Sequence, residues 1–232
     1  MLDNAEHIAT GIFVYRDVFK KEDNYIDRLE NIIGQSNNSM YSWRPAYTGY
    51  GSRNLEYRDC VDFKLKYNED ESITTHLTNI PKDKMNEKEL SLARIWQDAY
   101  YSQIKPVDDY RSMFSLAPLT YWESFNFVKY GPGQHFQIHS DHGYSYTCVL
   151  SLVGYLNDDY EGGELYFDKL NLMIKPKAGD LYLFPSSFVY SHAAMPVKSG
   201  FKYSIVTMLD YLQTAHTPEY QKLEEKYSRN LL

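Results

Sequence analysis

Hydrophobic and polar positions change rhythm about halfway along the chain. Residues 11–19 (GIFVYRDVF) alternate and are rich in β-formers, so they predict a strand. From about Lys21 to Ile33 the apolar positions Ile26, Leu29, Ile32 and Ile33 recur at helical spacing, with Gly34 as a stop. Residues 35–54 carry Asn, Ser, Gly and Tyr and predict a loop, and Arg58–Leu65 (RDCVDFKL) predicts a strand. The polar stretch 66–86 reads as an irregular surface excursion. Asn86 followed by Glu89 resembles a capping box, in which a side chain at each end of the first turn satisfies a free backbone N–H of the other. The helix it opens presents Leu92, Ile95, Trp96 and Ala99 on one face and is expected to end before Pro106.

After about Leu116 the helical period disappears. Short β-rich runs follow at close spacing: LTYWESFNFVKY, YTCVLSLVGYL, GELYF, LNLMIKP, DLYLFP and KYSIVTMLDYL. Turn-forming segments with Gly and Pro separate them, including GPG, NDDYEGG and KPKAGD. Many short strands with such turns indicate a sandwich or barrel. The expected class is α+β dominated by β, a jelly-roll core with N-terminal supporting helices. One domain is expected over 1–212, with support in 1–116 and the β-core in 117–212, followed by a helical tail over 213–232.

Composition narrows the class. The chain has 232 residues, 43% hydrophobic and 24% charged, which suits one sizeable globular core. Aromatics reach 16%, with 23 tyrosines, and suit strands packed face to face. A net charge of -7 weighs against a broad nucleic-acid footprint, which needs clustered Lys and Arg. No apolar run approaches the roughly 20 residues of a membrane span. The start, MLDNAEHIATGIFVY, lacks a basic region followed by an apolar one. Cys60 and Cys148 form no CxxC and read as buried thiols. A cytoplasmic location without a membrane partner is the expectation.

The chemistry concentrates in GQHFQIHSDHG. His139 and Asp141 are separated by one residue, and in an extended segment such residues share a face. His192, after the run DLYLFP, supplies a third candidate ligand. Two imidazoles and one carboxylate on one face of a metal leave the opposite face open, the ligand set of non-haem Fe(II) oxygenases. A bare HxD is common by chance, so the surrounding sequence decides.

That context is specific. Tyr130, Gly133, His139 and Asp141 in YGPGQHFQIHSD are followed by YLNDDYEGGELYF (155–167), KPKAGDLYLFP (175–185) and HAAMPVKSGFKYS (192–204). In order and spacing these resemble the prolyl 4-hydroxylase-like branch of the 2-oxoglutarate/Fe(II)-dependent dioxygenases, most closely over about 120–212. The resemblance implies a double-stranded β-helix core, Fe(II), 2-oxoglutarate and O2, with ascorbate as reductant. It implies His139, Asp141 and His192 as catalytic metal ligands. Lys202, ten residues after His192, would bind the far carboxylate of 2-oxoglutarate, and Tyr130 and Tyr155 match positions whose hydroxyls face the cosubstrate. Charge arithmetic agrees: a ferrous ion, one carboxylate and a dianion leave one negative charge, which Lys202 cancels in a poorly solvated site. His142 reads as a neighbour of the metal rather than a fourth ligand, and the glycines of EGGEL and Gly179–Asp180 as turns.

The resemblance further implies oxidative decarboxylation of 2-oxoglutarate to succinate and CO2, coupled to hydroxylation of an unactivated C–H. Relatives that halogenate carry a small residue where this chain has Asp141, so hydroxylation is expected. The expected substrate is a prolyl residue of a peptide or protein. The alternatives are a free amino acid, a small metabolite or a nucleobase. A third possibility is a non-catalytic β-barrel binding module, disfavoured by the intact set of His139, Asp141, His192 and Lys202.

Overall fold

A computed structural model describes residues 1–34, 41–47, 53–76, 78–142, 147–212 and 216. Most of the loop expected at 35–54 and nearly all of the tail expected at 213–232 lie outside the described residues. Within them, two sheets face each other. The larger has eleven strands, with Ala5–Ala9, Ile12–Tyr15, Leu181–Pro185, Leu150–Tyr155, Lys202–Asp210, Phe125–Tyr130 and Val61–Tyr67 as successive neighbours. The smaller runs Leu172–Ile174, Leu165–Phe167, His192–Ala194, His135–His139 and Arg58–Asp59. This is the β-dominated jelly roll that the spacing of the strands predicts.

Period-two alternation sorts the large sheet's residues between two cores. On its outer face Phe63, Leu65, Phe125, Phe127, Leu150, Leu152, Leu181, Leu183, Ile205 and Leu209 join the helical layer. On its inner face Val153, Tyr155, Tyr182 and Phe184 meet Leu165, Phe167 and Ile174 of the small sheet. Val128 and Tyr130 meet Val197 and Cys60 in a third cluster, flanked by Phe136 and Ala194. Each fully buried large apolar side chain contributes roughly 1.5–3 kcal/mol.

The helical layer departs from its sequence reading in one respect. The capping box forms: Asn86 Oδ1 accepts from the N–H groups of Lys88 and Glu89, while Glu89 Oε2 accepts from Asn86 N–H. The helix then runs Glu87–Met113, straight through Pro106. Packing overrides the lost backbone donor, because Pro106, Val107 and Tyr110 continue the buried stripe and Tyr110 Oη donates to Gly11 O at 2.8 Å. The earlier helical segment is composite: a 3-10 turn at Lys21–Asp23, an α-helix at Tyr25–Leu29 and a π-turn at Glu30–Gly34.

Other boundaries also move. The strand expected over 11–19 is confined to Ile12–Tyr15, since the next residue but one, Asp17, has a φ of 56°. The excursion over 66–86 contains the strands Ile73–Thr75 and Thr78–Ile80, which extend the large sheet beyond Val61–Tyr67. Their polar alternation hides a strand whose one face is solvated. Both cysteines are buried thiols outside any disulfide. Among the described residues no helix is long and apolar enough to cross a membrane.

Gly154 is a close approach between the large sheet and Phe19. An added methyl would overlap the Phe19 ring and stand 2.6 Å from Ile205 Cγ2. Gly154→Ala is expected to destabilise the fold by about 1–3 kcal/mol, the usual cost of overpacking, read as a lower urea midpoint at unchanged slope.

Candidate metal and cosubstrate site

Strand pairing builds the centre. His139 ends the strand His135–His139, and His192 opens the strand His192–Ala194 rather than trailing the run DLYLFP in a loop. The two strands are antiparallel, and His139 and His192 are direct partners across the ladder. The register shifts between Phe136 and His139, re-aiming the end of the strand. Asp141 lies just beyond the strand, so the shared face expected of an extended HxD is not what brings it close. Its neighbour His142 anchors the bend instead, donating its N–H to Ser186 O at 2.9 Å.

The three donors converge. His139 Nε2 lies 3.6 Å from Asp141 Oδ1, and His192 Nε2 lies 3.8 Å from Asp141 Oδ2. Two ligands each about 2 Å from one ion are separated by no more than about 4 Å, so this spacing suits a single cation. Among the described residues, this is the only such group of three His, Cys, Asp or Glu side chains.

Hydrogen bonds prepare each donor. His139 Nδ1 donates to Gln137 O at 2.8 Å and His192 Nδ1 to Tyr190 O at 3.1 Å. A carbonyl only accepts, so both Nδ1 atoms carry the proton and both Nε2 lone pairs face the centre. Burial, then the neighbouring His192, pushes the His139 pKa well down, which keeps its imidazole neutral, the form that binds a metal. Ser151 Oγ donates to Asp141 Oδ2 at 2.6 Å and sits 2.8 Å from Ser186 Oγ. Phe136 stacks on His139 with ring centroids 3.6 Å apart, and Phe184 meets the His192 ring at 4.9 Å. The residues present therefore fit a ferrous ion, with both imidazoles and the carboxylate oriented by the chain. His142 Nδ1 turns away toward Cys148 O, at 2.9 Å.

The predicted cosubstrate residues also come together. Lys202 pairs with Tyr130 across adjacent strands, and Ser204 pairs with Tyr155. Lys202 Nζ lies 4.9 Å from the Tyr130 ring centroid and 5.3 Å from that of Tyr155. The ammonium is 2% exposed and donates to Gly163 O at 2.8 Å. Burial, followed by the charge of Lys175, lowers its pKa to about 7. An anion reaching this ammonium would offset the cost of burying its charge.

Three contributors escape a reading of the sequence. Ser151 is a small polar residue on the inner face of an otherwise apolar strand, LSLVGY, and that mismatch is its signal. Arg58 lies 4.7 Å from the Phe136 ring centroid and 3.6 Å from Asp62, because the strand expected over Arg58–Leu65 divides into Arg58–Asp59 of the small sheet and Val61–Tyr67 of the large one. Lys175 donates to Gly162 O, and nothing local in KPKAGD indicates this. A separate cleft of about 560 Å³ beside Trp96, Tyr100 and Trp122 contains none of the predicted site residues.

Lys202 burdens the unliganded fold. The unfolded ammonium stays charged to pH ~10.4, the folded one only to about 7, so the cost of burying its charge is full below pH 7 and fades toward 10.4. Lys202→Met is therefore expected to raise the thermal midpoint of the ligand-free protein, more at pH 6 than at pH 9, as read by calorimetry.

Residues 125–209 match the family model described as the 2OG-Fe(II) oxygenase superfamily. Procollagen-lysine,2-oxoglutarate 5-dioxygenase 2 of Mus musculus is 23% identical over 218 residues, covering 89% of this chain but only 29% of that protein. A prolyl hydroxylase from Trichoplax adhaerens, solved with a hypoxia inducible factor peptide, superposes with a TM-score of 0.62 at 15% identity, over 86% of this chain and 83% of that one. The 2OG complex of a viral collagen prolyl hydroxylase from Paramecium Bursaria Chlorella virus-1 gives a TM-score of 0.56 at 16% identity, over 86% of this chain and 95% of that one. These structural likenesses establish the fold. Residues 125–209 thus carry the signature of the 2OG-Fe(II) oxygenase superfamily, a family that uses Fe(II), 2-oxoglutarate and O2, on a fold shared with these prolyl hydroxylases.

Proposed function

We propose that this chain is a 2-oxoglutarate- and Fe(II)-dependent dioxygenase that hydroxylates a residue of a peptide or protein, releasing succinate and CO2. The observation that carries it is the convergence of two proton-fixed imidazoles and one hydrogen-bonded carboxylate within one metal's reach. In this reading His139, Asp141 and His192 hold the ferrous ion, Lys202 receives the far carboxylate of 2-oxoglutarate, and Tyr130 and Tyr155 wall the space beside it. The described part of 1–212 acts as one oxygenase unit. When bound, the iron supplies the one-electron and O2 chemistry that side chains lack.

The chain's own groups do the rest. Ser151 keeps Asp141 pointing at the metal, and the backbone carbonyls of Gln137 and Tyr190 hold the rings in one tautomer. The aromatic walls of Phe136, Phe167 and Phe184 keep water from the imidazoles. A carboxylate at 141 fills the position that a halide would need, which favours hydroxylation.

A prolyl residue is the proposed target, supported by the fold shared with prolyl hydroxylases. The relative named for procollagen lysine matches across 89% of the chain, and this favours a lysyl residue as the second reading. Purified protein with Fe(II), 2-oxoglutarate and either proline-rich or lysine-containing peptides is expected to release succinate and add one oxygen atom to a peptide, read by mass spectrometry. Succinate formation without any oxidised peptide would remove the protein substrate; no succinate at all would remove the enzyme. His139→Ala is expected to abolish turnover. Ser151→Ala is expected to weaken Fe(II) binding about 10- to 100-fold, the usual effect of freeing a metal-bound group from its orienting partner; an unchanged affinity in a metal titration would exclude that role.

A further inference from the structure

Two lysines reach the same turn. Lys202 Nζ donates to Gly163 O at 2.8 Å, while Lys175 Nζ donates to Gly162 O at 2.6 Å and to Tyr160 O at 3.1 Å. The ammonium groups thus occupy consecutive backbone carbonyls. Both glycines have positive φ, 70° and 65°, a conformation that side chains rarely adopt. At 163 an added methyl would stand 2.9 Å from the Tyr160 ring and 3.1 Å from the Lys202 stem; at 162 it would overlap the Pro196 carbonyl. Pairing of Glu161–Gly162 with Val197–Ser199 fixes the turn, and Gly163 N–H donates to Pro196 O. Tyr160 closes the arrangement, with Lys175 Nζ 4.0 Å from its ring centroid.

Charge at the turn is unbalanced. Among the described residues neither ammonium forms an ion pair with a carboxylate. Burial and Lys175 both oppose a charged Lys202, while Glu164 and Cys60 favour it less strongly. The other titratable groups around it are Tyr130, Tyr155 and Tyr160, and burial holds all three phenols neutral at ordinary pH. Lys175 is exposed and Lys202 buried, so the cost of the neighbouring like charge falls on Lys202 and is only partly offset by Glu164 until an anion arrives. The functional reading above absorbs Lys202 but leaves Lys175 and the paired glycines unexplained.

We propose that Lys175 is a positioning residue for cosubstrate binding, bracing the Gly162–Gly163 turn against which Lys202 is held and adding its own positive charge to the attraction for a dicarboxylate. This rests on the oxygenase reading. The turn is then more than a chain reversal: it is a shared acceptor that places two ammonium groups on one side of the barrel.

The test is calorimetric titration of 2-oxoglutarate into protein loaded with Mn(II), which avoids turnover, across pH 6 to 9. Lys175→Gln keeps a donor for Gly162 and removes the charge, Lys175→Met removes both, and Lys175→Arg keeps both. Arg is expected to bind as the unaltered protein does, and Gln about three- to tenfold more weakly, the scale of a partly buried charge acting at one remove. Met is expected to be weaker still, with Mn(II) affinity unchanged in all three. Removing the neighbouring charge lets Lys202 keep its proton to higher pH, so the pH at which 2-oxoglutarate binding falls away should move upward in Gln and Met. Mere loosening of the turn would not move it. Equal affinity and equal pH dependence in all four proteins would overturn the proposal, as would parallel loss of Mn(II) and 2-oxoglutarate binding. If Met fails to fold, Gln and Arg carry the comparison. Failure of the unaltered protein itself to bind 2-oxoglutarate would overturn the oxygenase reading and this one with it, a result distinct from a failure of Lys175 alone.

Discussion

The antiparallel pairing of His139 with His192 is the constraint from which the rest of the site follows. Ladder geometry places directly opposed side chains on the same face about 5 Å apart, whatever their separation in sequence. Neither imidazole could be placed by local structure alone. The strand stops at His139, which frees Asp141 to bend back toward Ser151 on the opposing sheet. The centre therefore spans the two sheets, with the candidate imidazole ligands borne on the smaller and the support for the carboxylate on the larger. A one-residue slip in register between the small-sheet strands would turn one imidazole to the far face.

Stability and function are drawn from different layers. The extensive outer cluster, with Trp96, Phe125 and the capped helix, lies on the far face of the large sheet. The space between the sheets is shared by two smaller apolar clusters and the polar centre between them. Buried polar groups there are unfavourable unless each finds a partner, and most do, through Gln137, Tyr190, Ser151 and Gly163. Lys202 has a hydrogen-bond partner in Gly163 and two rings beside it but no carboxylate, while Tyr160 Oη and Arg58 Nε are buried without a hydrogen bond. A second anchor operates outside the barrel: Glu30, in the π-turn, accepts from Lys129, Trp43 and Tyr203 and ties the helical layer to two strands of the large sheet.

Much of this was legible in the residues because it follows from period and spacing. The strands around Leu152, Leu183 and Ile205 alternate clearly, and Asn86 with Glu89 signals its helix start. The donors His139, Asp141 and His192 were visible because the motifs around them, in order and spacing, resemble a known family, whereas the bare HxD is common by chance. What sequence could not supply is long-range. Pro106 reads as a helix end, yet the buried stripe through Val107 and Tyr110 outweighs its missing donor. The strands at Ile73–Thr75 and Thr78–Ile80 lack an apolar face along their length. Arg58 and Lys175 matter through partners remote in the chain, which no local pattern encodes.

The large sheet's strand order has a consequence for the segment that carries the family signature. Residues 125–209 form only the middle of that sheet: on one flank Phe125–Tyr130 is paired with Val61–Tyr67, and on the other Leu181–Pro185 is paired with Ile12–Tyr15. Excised alone, the segment would bare two long strand borders with unsatisfied backbone groups, together with the whole apolar outer face, a template for intermolecular association. The first half of the chain is thus a sealant as much as a support, closing the margins of the segment that bears the candidate centre.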